Sequence, residues 1–158
     1  MTPERRSWLM SRVRGKNTTP EMRVRRAAHS LGLRFRLHRK DLPGKPDLVF
    51  PKYRIAMFVH GCFWHRHPGC PKASTPKSRE EFWQAKFDMN VARDARVAAE
   101  LEALGWQVIT VWECETRESG IVDILAGIRR ASQEKIPHSV ANCNQAVRFG
   151  SEGRPDGG

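Results

Sequence analysis

Gly44-Lys-Pro-Asp-Leu-Val-Phe50, followed after Pro51-Lys-Tyr53 by Arg54-Ile-Ala-Met-Phe-Val-His60, is the stretch that decides the fold. Asp47–Phe50 and Arg54–His60 read as two strands, since β-branched and aromatic residues fill them and the Leu42-Pro-Gly44 turn sets off the first. The second is almost continuously apolar, as expected of a strand at the centre of a sheet covered on both faces. Asp47 is out of place: a carboxylate is a poor strand former and is costly to bury without a cation. A simple turn would account for Pro46-Asp47 alone, whereas a bound metal removes both objections.

Working outward toward the N-terminus, Leu33-Arg-Phe-Arg-Leu-His38 alternates apolar with polar, which predicts a half-buried strand with a basic solvent face. Before it, Thr18-Thr-Pro-Glu21 has the form of a capping box with Pro in the first turn, and Val24, Ala27, Ala28 and Leu31 recur at helical spacing until Gly32. Toward the C-terminus, Ser78-Arg-Glu-Glu81 reads as a second capping box. It opens a long helix carried by Phe82, Ala85, Met89, Ala92, Ala99 and Leu104 and ended by Gly105. Trp106–Trp112 is expected to be a buried strand, and Ile121, Ile124, Leu125 and Ile128 mark a last helix. The predicted order is α-β-β-β-α-β-α, with Asp47 and His60 at strand ends.

A chain of 158 residues supports one domain with a real core. Residues 1–17 form a basic arm, 18–135 the domain, and 136–158, rich in Pro, Asn, Ser and Gly, a tail expected to be disordered. Without an apolar run near the ~20 residues of a membrane helix, or a signal peptide, the expected location is the cytoplasm. The net charge of +11 is concentrated at the N-terminus, where residues 1–40 carry twelve Lys or Arg against Glu4 and Glu21. Such asymmetry is the footprint of a polyanion partner; a merely solvated arm would not need the interleaved Trp8 and Met10.

Beyond His60 comes Cys62-Phe-Trp-His-Arg-His-Pro-Gly-Cys70. In a reducing compartment, cysteines beside clustered histidines read as metal ligands rather than disulfides. Cys62, His67 and Cys70 supply three of the four donors that tetrahedral Zn²⁺ prefers. The fourth is Cys114, at the end of a strand that could lie beside the one leading to Cys62, or less favourably Cys143 in the tail. Four protein ligands leave no open position, so this zinc is structural. His65 is then surplus. With His60 and the acidic turn nearby, it is read as a functional rather than a hydrogen-bonded structural histidine.

These residues resemble the very short patch repair (Vsr) endonucleases, from about Arg6 to Ile128. The resemblance is carried by Gly44–Phe50, Phe58-Val-His-Gly-Cys-Phe-Trp-His-Arg-His67, Glu81-Phe-Trp83, Asn90–Asp94, Gly105-Trp106 and Val111–Cys114. It implies an α/β restriction-endonuclease-like fold, a mixed sheet with an αβββαβ core flanked by helices. It also implies a monomeric, Mg²⁺-dependent nickase that cuts 5′ of the thymine in a T:G mismatch left by deamination of 5-methylcytosine. By the same resemblance Asp47 would hold Mg²⁺ with the backbone carbonyl of Val59, which stands where related members carry Thr. His65 would be general base, oriented by Asp94, and His60 would sit near the scissile phosphate.

Glu21 would act through the hydration shell of the metal, although it also completes a helix cap. Phe63 and Trp64 would wedge into the base stack with Met10 entering from the other groove, whereas Trp83 reads by default as core. The implied partner is double-stranded DNA carrying the T:G mismatch, with mismatch-repair factors as candidate protein partners, and the implied location is the bacterial cytoplasm, in association with the nucleoid. Two other readings remain open: a restriction-type nuclease acting on unmismatched duplex, and a zinc-stabilised DNA-binding module without catalysis.

Overall fold

The computed structural model describes Thr2, Glu4, Arg5, Trp8, Arg12, residues 15–117 and residues 119–134. Met10, most of the expected arm, Cys143 and the tail after residue 134 lie outside the described residues.

Helix α1, Thr19–Ser30, starts where the sequence places it: Thr18 is the N-cap, and its Oγ1 accepts from the Glu21 backbone N–H at 3.4 Å. Glu21 reaches back to accept from the Asn17 N–H at 3.0 Å and from the Thr18 hydroxyl at 3.1 Å. Gly32, at φ +71°, turns the chain out of the helix. The strands are β1 (Arg36–Leu37), β2 (Leu48–Phe50), β3 (Ile55–His60) and β4 (Gln107–Trp112), in the sheet order β1-β2-β3-β4. The first three pair antiparallel, while β3 and β4 run parallel and are joined through helix α2, Glu80–Ala103. Helix α3, Gly120–Glu134, follows a 3₁₀ turn at Glu113–Arg117. This mixed sheet with helices on both faces is the restriction-endonuclease-like arrangement.

The alternation along β2 and β3 divides the core. Leu48, Phe50, Ile55 and Met57 face Val24 and Ala28 of α1 and Ile121, Leu125 and Ile128 of α3. Val49 and Ala56 face Val97 and Leu101 of α2. Both faces of the central strands are thus dry, which is why they read as continuous apolar runs. Among the described residues, no helix is long and apolar enough to cross a membrane.

Four expectations are corrected. The Leu33–His38 strand shrinks to Arg36–Leu37, because it is an edge strand against the three-residue β2 and the backbone turns at His38, φ +44°. Leu37 is consequently exposed. The Ser78 capping box does not form: α2 begins at Glu80 behind Arg79, whose left-handed backbone makes Arg79 the N-cap without a side-chain cap hydrogen bond. The buried face of α2 is Trp83, Phe87, Val97 and Leu101, whereas Phe82, Met89 and Leu104 point to solvent. Finally, β4 is an edge strand in which only Val111 is fully buried.

Candidate functional site

Parallel pairing of β3 with β4 sets His60 opposite Trp112. Cys62 and Cys114 each lie two residues farther on, so the two chain segments carry them to the same place. The loop after β3 folds back through backbone bonds from His65 N to Gly61 O, His67 N to Cys62 O and Cys70 N to His67 O, with Arg66 and Gly69 at positive φ. This brings His67 and Cys70 to the two cysteines, and the four candidate ligand atoms lie within 4.8 Å of one another. His67 Nδ1 is 3.7 Å from Cys62 Sγ and 3.3 Å from Cys114 Sγ. The edges of a tetrahedron with Zn–S and Zn–N bonds of about 2.3 and 2.0 Å measure roughly 3.5–3.8 Å, so donor type and spacing fit Zn²⁺. Burial pushes the Cys62 thiol up to about 11, while the Lys72 backbone N–H holds the Cys70 thiol below its usual value. A metal arriving here must therefore displace a proton from a fully buried cysteine.

An aromatic stack connects this cluster to a second one. The Trp112 ring lies parallel to His67, with centroids 4.4 Å apart, and meets His60 edge-on at 5.6 Å. His60 in turn stacks on His65 at 3.9 Å. His65 Nδ1 is 2.5 Å from Asp94 Oδ2 on α2, a span that brings together residues 29 apart in sequence. With its Nδ1–H given to that carboxylate, His65 has Nε2 free to accept a proton. His60 is held neutral at pH 7: burial, then the neighbouring His65, lowers its pKa to about 4 against the opposing pull of Asp94.

Asp47 stands immediately before β2, where the antiparallel partner β3 offers the Val59 N–H to its Oδ2 at 2.8 Å. Burial, reinforced by the Glu21 carboxylate and opposed by that N–H and by Arg25, pushes the Asp47 carboxyl up to about 6. Glu21 is itself almost fully buried and ion-paired with Arg25 at 3.0 Å. A buried Glu21 carboxylate close enough to raise the pKa of the half-buried Asp47 is an arrangement a divalent cation relieves, so the donor set also fits a hard metal such as Mg²⁺. Asp47, Glu21, Val59, His60, His65 and Asp94 all line one open cleft of about 1460 Å³. Lys16, Lys45 and Arg93 border it, giving a phosphate-bearing partner basic walls.

Phe63 packs edge-on against Trp64, Trp83 and Phe87, at centroid distances of 5.1, 5.6 and 5.2 Å. Phe63 and Trp64 are half-buried, and Trp83 is buried at the base of the cluster. Asn90 fixes the Trp64 backbone by donating to its carbonyl at 3.1 Å. The structure places Glu21, Asp47, Val59, His60, Trp64, His65 and Asp94 along one cleft, gathers Cys62, His67, Cys70 and Cys114 in a separate cluster, and packs Phe63 with Trp83 and Phe87. Sequence reading missed Trp112, Arg25 and His38. Trp112 looked like strand filling, and Arg25 and His38 blended into the basic N-terminal third; only the pairing of β1 with β2 reveals that His38 faces Asp47.

The family model described as DNA mismatch endonuclease Vsr matches residues 1–72. The chain is 55% identical over 123 residues to the type II nicking enzyme V.XorIIP of Xanthomonas oryzae, covering 78% of this chain and 90% of that one. It is 42% identical over 120 residues to the type II nicking enzyme V.NmeAIP of Neisseria meningitidis, covering 76% and 85% respectively. The DNA mismatch endonuclease Vsr of Escherichia coli is 43% identical over 112 residues, 71% of each chain.

Proposed function

The chain belongs to the Vsr family of DNA mismatch endonucleases, and from that premise we propose that it is a Mg²⁺-dependent nickase that cuts one strand 5′ of the thymine in a T:G mismatch. Membership makes it a DNA endonuclease; the mismatch, the strand and the metal are the proposed part. The observation that carries the reading is the His65–Asp94 hydrogen bond in the cleft that also holds Asp47 and Glu21. A binding module has no use for an imidazole whose tautomer is fixed by a carboxylate in a cleft that also gathers two more carboxylates.

In this mechanism His65 Nε2 takes the proton of the attacking water while Asp94 holds the ring and stabilises the imidazolium that forms. Asp47 and the Val59 carbonyl would hold Mg²⁺, with Glu21 beside them; when bound, it would supply charge neutralisation at the phosphate. His60, neutral and stacked on His65, keeps that ring in plane near the scissile phosphate. Cys62, His67, Cys70 and Cys114 would hold a structural Zn²⁺, which would fix the loop carrying His65. All of these groups come from one chain, so the proposed working unit is a monomer acting on bacterial chromosomal DNA.

His65→Ala is expected to slow nicking of a T:G duplex by about 10²–10⁴-fold at saturating Mg²⁺, the range a positioned general base supplies. Asp94→Asn should lose most of the same factor, and His60→Ala less. Full activity in His65→Ala removes the general-base assignment.

Phe63 and Trp64 are the proposed wedge. Unstacking costs about a few kcal/mol per step and is cheapest at a mismatch, so an aromatic pair pressed into the stack favours T:G over matched DNA. Phe63→Ala with Trp64→Ala should bring the affinities for the two duplexes together by about tenfold, which is ~1.4 kcal/mol, while zinc content stays unchanged. Undiminished discrimination would return the pair to a shielding role beside the metal.

A further inference from the structure

His38 has no part in the mechanism above, yet its ring sits between the Glu21–Arg25 pair and the Asp47 carboxylate. Its backbone takes φ +44°, a left-handed conformation that a residue other than glycine keeps only where its surroundings hold it. Two contacts do so. The His38 N–H points at the Asp47 carbonyl at 3.5 Å, and the ring Nε2 lies 3.0 Å from Arg25 Nη2. A guanidinium can only donate, so Nε2 accepts and the ring proton resides on Nδ1. That nitrogen faces Asp47 Oδ1 at 3.9 Å. The same Arg25 Nη2 also donates to Glu21 Oε2 at 3.0 Å, and Glu21 is fixed by Asn17 and Thr18.

We propose that His38 is a positioning residue for the metal-binding carboxylate: its Nδ1–H steadies Asp47 Oδ1 while the Val59 N–H holds Oδ2, and Arg25 sets the tautomer. The inference rests on Asp47 being a metal ligand. At 3.9 Å the Nδ1–H acts on the carboxylate electrostatically, and contacts of this kind shorten when the site is filled. Groups that orient a metal ligand from behind affect metal affinity first. His38 would therefore act on the Mg²⁺ requirement and not on the rate once the metal is bound.

The test uses the full-length, zinc-loaded protein and reads two signals besides cleavage. Nitrogen-15 NMR of the histidine rings before divalent metal is added should show His38 neutral with its proton on Nδ1; a proton on Nε2 overturns the proposal. In Mn²⁺ titrations followed by loss of the free-ion paramagnetic signal, His38→Leu should bind about tenfold more weakly, at the low end of the effect of such orienting groups, and His38→Gln, which keeps an N–H, should recover most of that loss. Half-saturating Mg²⁺ for nicking should rise in parallel, with the rate at saturating Mg²⁺ and DNA affinity without Mg²⁺ little changed. Wild-type Mn²⁺ affinity in His38→Leu overturns the proposal, as does a loss of rate that saturating Mg²⁺ does not restore. Asp47→Asn in the same titration separates the two failures. If it also binds Mn²⁺ like the wild type, the metal reading itself falls; if it alone loses Mn²⁺, only the role of His38 does.

Discussion

Chelating the Zn²⁺ proposed for Cys62, His67, Cys70 and Cys114 is expected to unfold the protein rather than merely inactivate it. The loop between β3 and α2 has no strand or α-helix of its own, and its described regular backbone is a series of turns and the short 3₁₀ segment Pro71–Ala73. It is tied to the sheet through Cys114, beyond β4, and through the stack of His67 on Trp112. Structural zinc contributes ~10–16 kcal/mol in small sites, against ~5–15 kcal/mol for the stability of a whole domain. Its removal is therefore large enough to decide folding. Elemental analysis should find one zinc per chain, and circular dichroism should show loss of structure as a strong chelator is added. Cys114→Ser should reproduce that loss, while Cys143→Ser should leave metal content unchanged. A zinc-free protein that folds, or zinc lost with Cys143→Ser instead, contradicts the assignment of the four ligands.

Asp47→Asn should abolish nicking and at the same time stabilise the metal-free protein. The catalytic loss follows from removing the carboxylate proposed to hold the cation: charge neutralisation at a phosphate accounts for several kcal/mol, so a fall of at least about 10³-fold is expected. Mismatch binding should survive, because the shape of the surface facing DNA is unaltered. The stability gain follows from the raised pKa. The unfolded carboxyl titrates near 3.8 and the folded one near 6, so the folded state binds the proton more tightly and stability falls as pH rises between those values. Above pH ~6 the half-buried charge costs on the order of 3 kcal/mol, and below pH ~4 it costs nothing. Thermal melts should show Asn above Asp at pH 8 and the two converging near pH 4. Adding Mg²⁺ should raise the wild-type melting point and not that of the variant. Equal melting points at pH 8 would mean that the Asp47 carboxylate is not strained in the free protein.

The elements decided by local chemistry were legible in the sequence. Thr18 and Glu21 announce α1, Val49 and Ala56 announce strands buried on both faces, and the spacing of Cys62, His67 and Cys70 announces a loop whose donor atoms converge. Misreadings came where tertiary context overrides pattern. In α2 both faces carry large apolar groups, and Phe82 and Met89 suggested the wrong one. The core contacts at one end and the Phe63 cluster at the other select Trp83, Phe87, Val97 and Leu101 instead. The edge position of β4 is a property of the sheet order, which composition does not encode. At the site, Asp94 emerged only through family resemblance, since nothing local distinguishes it from other acids on a helix. His38 was hidden altogether, because its relation to Asp47 exists only once β1 pairs with β2.

The most direct measurement takes duplexes of randomised flanking sequence, labelled on either strand, matched or carrying a single T:G pair, and incubates them with the zinc-loaded protein and Mg²⁺. The predicted result is one nick, on the thymine-bearing strand and immediately 5′ of the mismatched thymine, with matched duplex intact and EDTA abolishing the product. Cleavage of matched duplex at a comparable rate would contradict the account in favour of a restriction-type enzyme, and tight binding without a nick on either substrate would contradict it in favour of a zinc-stabilised DNA-binding module.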